Sequence, residues 1–310
     1  MRINLEQAIS KIQLGEVVAI PTETVYGLAA SLALPEAIQL IFDLKKRPLN
    51  NPLIIHVCST SQIKEYTSEL PPDFDRLADF FWPGPLTMII PIQCHLVPQI
   101  VRANLCTAGF RIPQHPLAQQ LMHFTGPLVM PSANLSGKPS ATSAAHVEED
   151  FGSQFPVLDG GRCKRGLEST IIGWKNGKWN IFRLGALSAS DFESVIGYRP
   201  LLETYVNEDQ PSCPGQLFRH YSPKAKLILG DSAKIEESAC ILGFREREYL
   251  EGKRLFILGS LKDAEEVAEN LYYQLRRLDE ENISVAWVDM DFPCEGLWIT
   301  IAERLTRAGQ

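Results

Sequence analysis

The sequence predicts an α/β protein in two parts: a larger domain built on a mostly buried sheet, then a smaller, Rossmann-like α/β domain. Three observations carry this reading. At 310 residues the chain is too long for one ordinary domain and comfortable for two. Short aliphatic runs alternate with stretches of helical period, the pattern of a sheet covered by helices. Around residues 200–224 the alternation gives way to sequence rich in Pro, Asn, Glu and Asp, which reads as a linker. The expected division is a catalytic domain over 1–200, a linker or lid over 201–225 and a C-terminal domain over 226–310.

Taken in order, Asn4 is placed to cap a helix with Leu5, Ala8, Ile9 and Ile12 on its apolar face. Residues 17–20 (VVAI) read as a buried strand. Pro35 suits the first turn of a second helix, with Ala37, Ile38, Leu40, Ile41 and Leu44 inward. Residues 53–57, 86–92, 128–130 and 169–172 continue the strand series. Beyond the linker, strands are expected over 226–229, 239–244, 254–258 and 284–289, with helices over 263–278 and 296–307.

Composition narrows the function. Hydrophobic residues make up 45% and charged residues 22%, which is ordinary for a globular chain and argues against long disorder. No apolar run approaches the roughly 20 residues of a membrane-spanning helix, and the first residues, MRINLE, lack the apolar core of a signal peptide. Seven scattered cysteines with no CxxC spacing suit a reduced, metal-free cytoplasmic protein. Residues 1–200 carry 17 Lys/Arg and 17 Asp/Glu, whereas 201–310 carry 13 and 20. The acidic second part is a poor grip for a phosphate backbone, so an anion site belongs in the first.

Several segments could carry chemistry. PTETVYGL (21–28) follows a strand, where α/β folds bind ligands, but Thr22 or Thr24 would equally start a helix. KKRPLNNPLIIH (45–56) runs from a basic helix end, through a proline-stiffened loop, to a histidine in an aliphatic strand. Its bland readings are dipole partners and a satisfied core histidine. Arg111, in TAGFRIP, sits in an apolar strand and needs a partner, either a protein carboxylate or a ligand anion. The loop MPSANLSGKPSAT (130–142) offers hydroxyls and N–H donors to phosphate, or is a surface turn. GLESTII (166–172) and FRLG (182–185) complete the set. Walker A, GxGxxG and GxSxG patterns are all absent from the sequence.

In this order, PTETVYGL, KKRPLNNPLIIH, WPGPLT, FRIPQHP, PSANLSGKPSAT, GLESTII and FRLG resemble the YrdC-domain family, which contains threonylcarbamoyl-AMP synthases. PGQLFRHYSP (214–223) and the acidic α/β tail resemble the family's long two-domain form. The resemblance implies a twisted mixed sheet with a deep basic cavity. It implies a reaction in which L-threonine, bicarbonate and ATP give threonylcarbamoyl-AMP and pyrophosphate for tRNA modification. By position, it places Thr24, His56, Arg111, Met130 and Ser169 at threonine, and Arg47, Asn51, Thr107, Ser132, Ser140, Arg183 and Tyr221 at ATP. Lys46, Arg47 and His56 are the residues it nominates for catalysis. Mg²⁺ would enter with ATP, and no tightly held protein metal is implied. The product would pass to a tRNA threonylcarbamoyl transferase, with at most a weak RNA contact and no membrane partner. The competing reading is a non-catalytic RNA- or nucleotide-binding module. The balanced charge of 1–200 and the lack of aromatic platforms within a basic run weigh against it.

Overall fold

The structure is a computed structural model that describes residues 1–203, 211–214 and 221–310. Most of the expected linker, including residues 215–220 of the PGQLFRHYSP stretch, lies outside the described residues. The first part runs β1 (Arg2–Ile3), α1 (Leu5–Gln13), β2 (Val18–Ile20), β3 (Gly27–Ser31), α2 (Pro35–Lys45), β4 (Ile54–His56), α3 (Thr60–Lys64), α4 (Phe74–Phe81), β5 (Leu86–Pro91), α5 (Gln99–Arg102), β6 (Thr107–Arg111), α6 (Pro116–Thr125), β7 (Leu128–Val129), α7 (Ala144–Phe151), β8 (Val157–Leu158), β9 (Thr170–Lys175), β10 (Lys178–Arg183) and α8 (Ala189–Ile196). The second part runs β11 (Lys226–Leu229), a 3-10 turn, β12 (Cys240–Phe244), β13 (Arg254–Gly259), α9 (Ala264–Glu280), β14 (Val285–Val288) and α10 (Leu297–Ala308).

Local chemistry accounts for the helix starts. The Asn4 side chain accepts from Gln7 N, and Gln7 reaches back to Asn4 N, a reciprocal cap for α1. Pro35 opens α2, where its missing N–H costs nothing. Asp263 accepts from the first N–H groups of α9. Two expectations fail. Residues 22–26 start no helix and lead instead into β3, which pairs antiparallel with β2. Leu40 points outward at 46% exposure, because the buried stripe of α2 is Ala37, Ile38, Ile41, Phe42 and Lys45.

The strands of the first part form one mixed sheet in the order β1-β8-β2-β3-β7-β4-β6-β5-β9-β10. Both faces are covered. Val17 and Ala19 enter one core with Leu28 and Ala30, while Val18 and Ile20 enter the opposite one with Ala29, Leu121 and Met122. The second sheet, β11-β14-β12-β13, is parallel throughout and packs α9 and α10 against its core. The two parts meet closely. At Gly166, whose φ is +68°, a Cβ would overlap the α9 backbone at Ala268 and Glu269. Buried Arg276 of α9 donates to Pro139 O at 2.7 Å and Asp150 Oδ2 at 2.7 Å.

Candidate functional site

β4 and β6 run parallel, with His56 opposite Arg111 at their C-terminal ends, and β7 runs antiparallel on the other side of β4. The residues after β7 turn back along the start of β4, where Met130 N donates to Ile54 O. A cavity of about 660 Å³ lies here. Its wall includes Arg47, His56, Arg111, Met130, Ser132, Ser140, Ser169, Arg183 and Tyr221 from the sequence-nominated set, with Asn134, Lys138 and Glu168 besides. Guanidinium and ammonium groups outnumber carboxylates on this wall, so the cavity is basic, as expected.

Four nominated residues stand off it. Thr24 is buried behind Val25, its hydroxyl 2.8 Å from that of Thr22. Asn51 is buried, and its Oδ1 accepts from Arg47 Nη2 at 2.6 Å, so it orients the arginine. Thr107 opens onto a smaller neighbouring cavity that shares Pro52, Leu53, Ile54 and Pro214 with the first. Lys46 is exposed, in the left-handed position that ends α2. The lysine that does approach the site is Lys45. Its Nζ donates to Ser132 O and Asn134 O at 2.5 Å each, from the buried face of α2. Burial, then the nearby Arg47 charge, pushes the Lys45 ammonium down to about 7.

At one end of the cavity, Arg111 donates from Nη2 to Glu23 Oε1 at 2.6 Å and from Nε to Gly84 O at 3.2 Å. Among the described residues Nη1 has no protein acceptor. The partner demanded by a buried arginine is thus in part a protein carboxylate, held in turn by Gln114 N at 3.0 Å. His56 Nδ1 lies 3.2 Å from Ile54 O. A carbonyl only accepts, so Nδ1 carries the proton and Nε2 is left as an acceptor. Burial first, then the Arg111 charge, drives the His56 pKa well below 6.5, and the ring is neutral at physiological pH. The Ser169 hydroxyl is 2.7 Å from that of Thr87.

At the other end, Arg47 is held by Asn51 and by Pro52 O at 2.9 Å. Burial and the neighbouring Arg183 push its pKa to about 9, and it stays charged at neutral pH. Arg183 donates from Nη2 to Ser169 O at 2.8 Å, while its buried Nε has no partner among the described residues. Asn134 Oδ1 is likewise buried and unpaired. The orphaned Arg183 Nε–H needs an acceptor, as an anionic ligand supplies, whereas Asn134 Oδ1 needs a donor. Glu168 was not nominated from sequence. Burial would raise its pKa, but the Arg304 and Arg183 charges and the Ser140 hydroxyl outweigh that and hold it ionised. Among the described residues no group of three or more His, Cys, Asp or Glu side chains is placed to hold a metal ion.

Comparison with known proteins places the chain by family and fold. Residues 10–185 match the Sua5, YciO and YrdC family model described as "Telomere recombination". Residues 187–309 match "Threonylcarbamoyl-AMP synthase, C-terminal domain". Threonylcarbamoyl-AMP synthase of Pyrococcus abyssi is 37% identical over 318 residues, covering 96% of this chain and 91% of that protein. The Bacillus subtilis protein of the same name is 34% identical, covering 98% and 92%. The crystal structure of P. abyssi Sua5 complexed with L-threonine superposes with a TM-score of 0.91 at 33% identity, over 100% of this chain and 97% of that one. Escherichia coli YciO, 21% identical with a TM-score of 0.52, covers 60% of this chain and 93% of its own, and shares the fold.

Proposed function

Because the chain belongs to the threonylcarbamoyl-AMP synthase family, in the form with a second domain, we propose that it joins L-threonine, bicarbonate and ATP into threonylcarbamoyl-AMP and pyrophosphate. One observation carries the assignment of ligands to this cavity: the buried Arg111 and the half-buried Arg183 each keep an N–H without a protein acceptor among the described residues on its wall. Such groups are costly unless a ligand acceptor arrives.

Threonine fits the end marked by His56 and Arg111. Its carboxylate would take the open Nη1 of Arg111, and Nε2 of His56 would accept from its amine or hydroxyl, with Ser169 alongside. Thr24, one layer behind, would act by fixing the turn that presents Val25. The triphosphate fits the end marked by Arg47, Ser132, Ser140 and Arg183. Asn51 holds Arg47 in place, and Met130 belongs to the same wall. Lys45 rather than Lys46 is the lysine positioned to answer added negative charge, because it reaches Ser132 O and Asn134 O beside the wall, where burial pushes its ammonium down to about 7. Mg²⁺ would arrive bound to ATP as part of that substrate, supplying charge neutralisation.

The amine and bicarbonate condense to a carbamate with loss of water. The carbamate oxygen then attacks the α-phosphorus, the bond from that phosphorus to the bridging oxygen of the β-phosphate breaks, and pyrophosphate leaves with its electron pair. No protein nucleophile enters this scheme, and the neutral His56 is a positioning acceptor. Rate enhancement would come from alignment and charge neutralisation. Tyr221, buried at the cavity wall, would close the nucleotide side. The labile product would pass to a tRNA threonylcarbamoyl transferase, with a weak RNA contact at most, in the cytoplasm. No helix among the described residues is long and apolar enough to cross a membrane. The test is pyrophosphate release from ATP with threonine and bicarbonate added singly and together. Release only when both are present is expected, and equal release from ATP alone would overturn the assignment.

A further inference from the structure

The Glu168 carboxylate poses a problem that the reaction does not explain. It lines the cavity, is 6% exposed and is ionised, yet the cavity is read as a receptor for a triphosphate. A bare carboxylate there would repel the ligand. Its surroundings resolve the conflict, and they come from the other domain. Oε1 accepts from Ser140 Oγ at 2.6 Å, whereas Oε2 accepts from the Tyr272 hydroxyl at 2.9 Å and from Arg304 Nε at 3.3 Å. Tyr272 lies on α9 and Arg304 on α10, 104 and 136 residues along the chain from Glu168.

The same two side chains hold Tyr221. Its ring stacks on Tyr272, with centroids 5.2 Å apart and planes 17° from parallel. The Arg304 guanidinium lies over its face at 4.7 Å. Arg304 is also fixed from behind, by Leu184 O at 2.6 Å and by Glu303. It is 1% exposed and is not among the residues that line the cavity.

We propose that Arg304 and Tyr272 are positioning residues of the substrate cavity: the C-terminal domain supplies the cation and the ring that hold Glu168 and Tyr221 against its wall, so that Ser140 and Ser169 face the ligands. This rests on the synthase reading of the cavity. Arg304 cancels the Glu168 charge, which makes the carboxylate a fixed acceptor for Ser140 instead of a repulsive group. Tyr272 sets the plane of Tyr221. The second domain is then part of the site's construction rather than an appendage to it.

Four full-length variants test this: Arg304→Met, Tyr272→Phe, Tyr272→Leu and the pair Glu168→Gln/Arg304→Met. Each is assayed for threonine- and bicarbonate-dependent pyrophosphate release, for ATP affinity by calorimetry and for thermal unfolding. Arg304→Met should lower kcat/KM for ATP roughly 10- to 100-fold, the scale of a small misplacement at a reacting site. The paired variant, which removes the uncompensated charge, should recover much of that loss. Tyr272→Phe, which keeps the ring stack, should lose less than Tyr272→Leu. A merely structural role would lower the melting temperature and leave KM and kcat of the folded protein unchanged, and that outcome overturns the proposal. If Arg304→Met does not fold, the Tyr272 pair and the double variant decide by the same criterion. If the wild type itself makes no product, the synthase reading fails. Calorimetry still judges the inference, because unchanged ATP affinity in folded Arg304→Met sinks it.

Discussion

Replacing Arg111 by Met separates two effects that the structure places on one side chain. The Arg111–Glu23 pair is buried, with side-chain exposures of 5% and 8%. Removing the guanidinium leaves Glu23 with only the Gln114 N–H, and an unpaired buried charge costs about 3–5 kcal/mol of stability. The loss of a charged hydrogen bond to the threonine carboxylate costs about 2–5 kcal/mol of binding, or roughly 30-fold to several thousand-fold in Kd. The double variant Arg111→Met/Glu23→Gln removes the stranded charge, so most stability should return while threonine affinity stays low. Urea unfolding measures the first quantity. Calorimetric titrations with L-threonine and, separately, ATP measure the second, and ATP affinity should change little. Wild-type threonine affinity in the folded double variant would show that Arg111 is an internal strut bracing Glu23 and Gly84, and the placement of threonine would fall with it.

Three further outcomes are expected. His56 is held neutral far below its ordinary pKa of 6.5, so the unfolded chain gains a proton there that the folded chain refuses, and stability falls as pH drops below about 6.5. His146, pushed down to about 3 by burial and Arg276, adds the same slope. Urea unfolding between about pH 5 and 6 should show each contributing up to about 1.4 kcal/mol per pH unit, and His56→Gln should remove one share. Gly166→Ala should destabilise by at least about 1–3 kcal/mol and split thermal unfolding into two transitions, because its Cβ would meet α9 backbone that has no rotamer to yield. A single, unshifted transition would contradict that contact. Tyr221→Ala should raise pyrophosphate released per threonylcarbamoyl-AMP recovered above one, since an open wall admits water to the adenylate; a ratio still at one would remove Tyr221 from that role.

Much of this was legible in the sequence. Asn4 and Pro35 marked the starts of α1 and α2, and the aliphatic runs and helical period placed the elements of the second domain to within two residues, because those signals are local. The short strands β1 and β8 span only two residues each, and only assembly of the sheet makes them visible. At the site, Lys45 is legible as the buried lysine of α2. It follows Ile38, Ile41 and Phe42 at helical spacing, which puts a lysine on the buried stripe of α2 and leaves Lys46 to solvent. Glu168 stood in a segment already singled out, and a carboxylate in apolar sequence demands a cation. The identity of that cation, Arg304, was beyond sequence reasoning, because 136 residues of chain separate the pair.

That separation also sets a timetable. A chain grows at about 5–20 residues per second, and its N-terminal portions fold first. Roughly 7–27 s therefore pass between synthesis of Glu168 and synthesis of Arg304, at those rates over 136 residues. Through that interval the emerging polypeptide carries most groups of its cavity, with the Arg183 charge near Glu168 but the Glu168–Arg304 ion pair still unmade. The proposed support from Arg304 then arrives with α10, long after the sheet that bears most of the side chains has been made.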